Sequence, residues 1–231
     1  MPPPASTLTR LENGTLEIRL TLPWTEIQTA LEKEISSAVK TARLPGFRPG
    51  SAPRHLVEPR LDRARLLSQA VQKLLPQIYS RAVTDHQLKP ALLPHLHIDS
   101  GNVGQDWQIT ATTCETPIVN LNLPTKPPKT IKQLNDFLDY LRQKTALKIP
   151  DLLVEEEANH RLSSLAENLT RLGLTPESYL ATKKMRPEDL KSELTRQSRT
   201  DLETEFILSH IQTRAKLQDR KATLDFLQNL L

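Results

Sequence analysis

Glycine and cysteine are both scarce in this chain, six and one among 231 residues. The glycines fall into no P-loop or G-x-G-x-x-G spacing, so no phosphate-cradling turn for a nucleotide is on offer. The single cysteine, Cys114, cannot close an internal disulfide or build a multi-cysteine zinc cluster, which suits a reducing compartment. Aromatics are only 4% of the residues, too few for the stacking platforms of single-strand nucleic-acid binders. No run approaches the ~20 apolar residues of a membrane span. Met1-Pro2-Pro3-Pro4 has neither the basic start nor the apolar centre of a secretory signal. These absences predict a soluble, cytoplasmic chain with no membrane contact.

Catalytic constellations are poor as well. His95 and His97 would share one face of a strand, but the other histidines (His55, His86, His160 and His210) are scattered and no matching ligands accompany the pair. No metal site and no cofactor are expected. Glu155-Glu156-Glu157 fan around a helix axis instead of converging, the pattern of a solvated face. Cys114, near the end of an alternating strand, reads as a small core filler. The catalytic set is therefore empty.

What the chain does have is a local charge imbalance. Its net charge is +4. Residues 1–130 hold 15 basic and 11 acidic side chains, whereas residues 131–231 hold 16 of each. Residues 35–57 contain no acid and carry Lys40, Arg43, Arg48 and Arg54. A basic patch on a nearly neutral body fits docking to an acidic partner, nucleic acid foremost, although a solvated basic turn would look the same.

Periodicity predicts an α+β fold in two parts. Asn13-Gly14 between residues 7–11 and 15–22 predicts a hairpin, with Leu16, Ile18, Leu20 and Leu22 on its buried face. A helix follows, with Thr25 and Gln28 as a capping box and Ile27, Leu31 and Ile35 on one side. A second helix spans about residues 61–83, with a kink predicted at Pro76. Strands at 96–99 and 106–114 complete a small α+β domain, residues 1–116. Residues 117–130, with four prolines, read as a semi-rigid linker. Residues 131–231 read as an all-helical module. Its marks include a leucine stripe from Ala158 to Leu172, a C-terminal cap at Gly173, and helices opened by Pro176 and Pro187.

The loop after the first helix concentrates the unusual chemistry. In Gly46-Phe47-Arg48-Pro49-Gly50-Ser51-Ala52-Pro53, two glycines allow the backbone angles of a protruding tip. An aromatic ring at such a tip cannot easily reach its own core. Beside a permanently charged guanidinium, it fits an anchor for a partner offering an apolar pocket and acidic groups. A ring folded back under the helices is the competing arrangement.

This run resembles the signature G-F-R-x-G-x-x-P of the trigger factor family, bacterial chaperones that dock beside the ribosomal exit tunnel. Gly46, Phe47, Arg48, Gly50 and Pro53 match all five fixed positions. Residues 137–142 are similar to the helix that the family places just before its prolyl isomerase domain, and residues 149–157 and 173–180 to segments of its C-terminal helical module, in the right order. The resemblance covers about residues 6–217. It implies an N-terminal ribosome-binding domain followed by a helical chaperone domain. Gly46, Phe47, Arg48, Gly50 and Pro53, with Arg43 and Arg54, would form the ribosome-binding set. The implied partners are the large subunit (tunnel-exit protein and rRNA) and nascent or unfolded polypeptides, and the resemblance allows for a homodimer.

Two departures stand out. The family's prolyl isomerase domain would fall between residues 142 and 149, where six residues cannot hold a fold that needs on the order of 50; a short form without isomerase activity is expected. Position 49 is Pro where Lys is common, which lowers loop charge, and Arg54 is the residue placed to offset the loss. An ATP-independent holdase is therefore the expected function. A prolyl isomerase and an RNA-binding or ribosome-assembly factor stay open beside it.

Overall fold

The computed structural model describes residues 6–48, 50–124, 127–128 and 131–231. Pro49 of the candidate loop, and Thr125, Lys126, Lys129 and Thr130 of the proline-rich stretch, lie outside the described residues. The chain forms two compact units. One takes residues up to Leu11 together with Leu16–Thr113; the other takes Glu12–Thr15 with Cys114–Leu231.

In the first unit, strands β1 (Ser6–Arg10) and β2 (Thr15–Leu22) pair antiparallel with Leu8 opposite Ile18. The turn between them uses Gly14 at φ +80°, and the Asn13 side chain accepts a hydrogen bond from the Thr15 amide at 3.1 Å. Strands β3 (His95–Ser100) and β4 (Trp107–Cys114) are also antiparallel, and the sheet order is β1-β2-β4-β3. Period-two alternation buries Leu16, Ile18, Leu20 and Leu22 of β2 with Trp107, Ile109 and Ala111 of β4 on one face. Helix α1 (Trp24–Thr41) and helix α3 (Arg63–Asp85) are the two expected helices, and between them lie a short helix α2 (Arg54–Val57) and a 3-10 turn (Glu58–Arg60) that the periodicity does not announce. Ile27, Val71, Ile78 and Ala82 close the core over the sheet.

One local expectation is corrected, the cap of the first helix. Helix α1 starts at Trp24, behind Pro23 and with no side-chain cap; the Pro23 carbonyl accepts from the amides of Glu26 and Ile27 at 3.0 and 3.2 Å. Thr25 therefore lies inside the first turn, where it cannot act as the cap. Helix α3 continues as a single span through Pro76. Burial of Val71 and Ile78 on either side of the proline offsets the one backbone hydrogen bond that its ring removes.

The second unit is helical: α4 (Leu134–Thr145), α5 (Asp151–Arg171), α6 (Pro176–Lys183), α7 (Pro187–Ala215) and α8 (Arg220–Gln228). Phe137 and Leu141 of α4 pack with Ile207, Leu208 and Ile211 of α7 and Leu227 of α8. Residues 116–124 have no regular secondary structure, yet they do more than span. Leu121 is 5% exposed and belongs to that core, Val119 and Leu123 pack against it, and Arg214 Nη1 donates to the Leu121 carbonyl at 3.0 Å.

Candidate functional site

The loop between α1 and α2 is built from two consecutive turns. The Phe47 amide donates to the Leu44 carbonyl at 3.1 Å, and the Ser51 amide donates to the Arg48 carbonyl at 2.9 Å. In both four-residue segments the sequence places Pro and then Gly at the central positions, the order that a type II turn prefers. Gly46 and Gly50 accordingly have φ of +88° and +76°. Phe47 closes the first turn and Arg48 opens the second, so the pair stands between them. Phe47 is 41% exposed, and the folded-back arrangement is not adopted. Arg43 and Arg48 are exposed and form no ion pair among the described residues.

The two glycines serve different purposes. A Cβ on Gly46 would meet nothing within 4 Å, whereas one on Gly50 would strike the carbonyl oxygen of Lys40 at the end of α1. The Gly50 amide also donates to the Ala42 carbonyl at 3.1 Å. Gly50 thus seats the loop against α1. At the far end Pro53 precedes α2, and Ala52 and Val57 are buried at 7% and 1% exposure.

Arg54 stands apart from the other loop cations. Its guanidinium donates to Glu32 at 2.6 Å and to Glu58 at 3.0 Å. The hydrogen bond to Glu32 first, then that to Glu58, holds its proton above the usual arginine range. With two carboxylates on it, Arg54 braces α2 against α1 and does not restore the loop charge that Pro49 removes. Cys114 is fully buried, and burial pushes its thiol up, away from reactivity. Among the described residues no three His, Cys, Asp or Glu side chains are grouped to hold a metal.

The second unit carries an apolar groove of about 640 Å³ where α5, α6 and α7 meet. Leu162, Leu165 and Leu169 of α5 face Tyr179 and Leu180 of α6 and Leu190 of α7, with Glu177, Glu188 and Lys191 among the lining. The α5 stripe was legible by its spacing. Which part of it stays open was not: Leu169 is 6% exposed, but Leu162 and Leu172 are 40% and 72% exposed. That outcome depends on where the short α6 lands, and periodicity within one helix carries no such information.

The family model described as bacterial trigger factor protein (TF) matches residues 5–135, and the one for its C-terminus matches residues 129–225. The two matches overlap, so no isomerase domain is inserted between them. Trigger factor of Mycobacterium sp. (strain KMS) is 34% identical over 116 residues, covering 50% of this chain and 24% of that protein. The protein of Mycolicibacterium smegmatis is 35% identical over 116 residues, covering 50% and 25%. The chain thus spans 24–25% of the length of these curated relatives in the matched stretch. A solved structure of the trigger factor chaperone, from work on promiscuous substrate recognition in folding and assembly, aligns with TM-score 0.38 and 17% identity over 60% of this chain and 33% of that one. No helix among the described residues is long and apolar enough to cross a membrane.

Proposed function

The chain belongs to the bacterial trigger factor family, and from that premise we propose that it is an ATP-independent cytoplasmic holdase that docks beside the ribosomal tunnel exit and shields emerging or unfolded chains. Phe47 is the apolar anchor, and Arg48 and Arg43 pair with acidic groups of rRNA or of the large-subunit protein at the exit. Gly46, Gly50 and Pro53 shape the loop that presents them. Arg54 acts from behind, holding α2 on α1 through Glu32. The groove of α5, α6 and α7 takes apolar client segments by weak contacts that tolerate many sequences. No covalent step, cofactor or isomerase turnover is part of the mechanism.

The observation that carries this reading is the Phe47-Arg48 pair: an exposed aromatic ring and an arginine without an ion pair among the described residues, held between two closed turns. An exposed ring has an energetic reason to stay at such a position when a partner buries it. The test is co-sedimentation with bacterial ribosomes at physiological salt. Wild type should pellet, and Phe47→Ala/Arg48→Ala should lose about 2 kcal/mol or more of binding, roughly thirtyfold in affinity. Equal pelleting of both would mark charge-driven, nonspecific association, and no pelleting of wild type would remove the ribosome from the reading.

A further inference from the structure

We infer that the docking surface continues from the loop onto the start of α3, where Arg60, Arg63 and Arg65 are placed to meet the phosphate backbone of folded RNA. The inference rests on the ribosome docking proposed above and adds residues outside the loop, together with the chemistry of what they touch.

Helices α1 and α3 run antiparallel: Glu34 pairs with Lys73 at 2.7 Å and Glu26 with Arg81 at 3.4 Å, so steps up one helix are steps down the other. The C-terminal end of α1 therefore lies beside the N-terminal end of α3. Val39, Leu61 and Leu66 pack on the same small core, with Leu31, Ile35 and Ala70. Gly50 sits against the carbonyl of Lys40 at this same end. The base of the loop and the start of α3 thus form one end of the helix pair.

Six cations collect there. Lys40, Arg43, Arg48, Arg60, Arg63 and Arg65 are all exposed, and none forms an ion pair among the described residues. Farther along the same two helices, Lys73 and Arg81 are paired. The acids at this end are already engaged: Glu58 holds Arg54, and Asp62 caps α3 by accepting from the Arg65 amide at 3.0 Å. The remaining titratable group is His55, which is exposed.

The arginines also break a local rule. The first turn of a helix is its positive end and favours acids. Helix α3 has no acid in its first turn, yet it opens with Arg63 and has Arg65 two residues on. Asp62 supplies one carboxylate as the cap, but the guanidinium heads of Arg63 and Arg65 have no ion pair among the described residues, and such a cationic first turn marks a surface completed by a partner. Five of the six cations are arginines, whose fork matches phosphate oxygens two at a time. A continuous row of phosphates satisfies many such forks together. With few aromatic side chains to stack on bases, the backbone of a duplex is the element read.

The experiment compares wild type with Arg60→Gln/Arg63→Gln/Arg65→Gln on ribosomes and on a short protein-free RNA duplex, between about 50 and 200 mM salt. Each phosphate contact contributes about 0.9 to the slope of log affinity against log salt, so the variant's slope should be shallower by roughly 2–3 on both targets. Its melting temperature should not fall, because the substitutions remove cations from the positive end of a helix. Unchanged affinity and slope would overturn the inference. Loss of ribosome binding, with wild type ignoring the duplex, would assign these arginines to an acidic protein surface and overturn it equally. Should wild type ignore ribosomes but bind the duplex with the full slope, the docking proposal fails while the phosphate-binding surface stands.

Discussion

Gly46 and Gly50 share a positive φ but not an environment, and the difference separates two demands on one loop. At Gly46 only the backbone angle is required, since the space beyond its Cα is empty. Asparagine tolerates such angles better than other side chains. Gly46→Asn should therefore keep ribosome affinity within about threefold of wild type. At Gly50 any side chain meets the Lys40 carbonyl, and the loop must lift away from the Ala42 carbonyl. Strain of about 1–3 kcal/mol at such a site should cost Gly50→Asn roughly tenfold or more in docking and speed amide hydrogen exchange at residues 50 and 51. Equal behaviour of the two variants in binding and exchange would refute the distinction. The exposure of Phe47 was legible from the flanking glycines and prolines. The capture of Arg54 by Glu32 was not, because the partner lies 22 residues away on a helix whose own pattern gives no hint of it.

Among the elements, the stretch 116–124 shows how one signal can hide another. Its prolines read as a spacer, and indeed no helix or strand forms there. Yet Val119, Leu121 and Leu123 alternate, and they pack with Phe137, Ile207 and Leu227. Alternation is the mark of an extended segment with one buried face, and the prolines around it carry the spacer signal that masks it. Leu121→Ala should then cost the second unit about 2–5 kcal/mol, as for a leucine removed from a close-packed core, read as a lower urea midpoint for the full chain. A change within about 0.5 kcal/mol, typical of surface sites, would show that this stretch is not part of the core. Other boundaries were readable because they rest on local chemistry. Gly173 ends α5 at φ +69°, with the Leu174 amide donating to Leu169 at 2.9 Å and the Gly173 amide to Thr170 at 3.1 Å. Thr175 and Ser178 cap α6 reciprocally. Helix α2 and the 3-10 turn after it leave no mark in the sequence because they span only Arg54–Arg60, too short for any helical period to repeat.

For the molecule as a whole, the candidate docking loop and the candidate client groove belong to different compact units. Each unit has its own core, so a change in one site should leave the other's fold intact, and the two activities should come apart by mutation. Leu162 is 40% exposed and Leu165 half-buried, so Leu162→Glu/Leu165→Glu should fold. Each leucine that a client covers would otherwise contribute up to about 1.5–3 kcal/mol, so this variant should lose half or more of its ability to suppress aggregation of an unfolded protein. Its ribosome affinity should stay that of wild type. Phe47→Ala/Arg48→Ala should show the reverse, full suppression of aggregation in solution with docking lost. Measured side by side, light scattering of a denatured client and ribosome co-sedimentation would place both variants. Were either one to lose both activities while its circular dichroism and melting temperature stayed native, holding and docking would be one surface, and the division of labour between the units would be wrong.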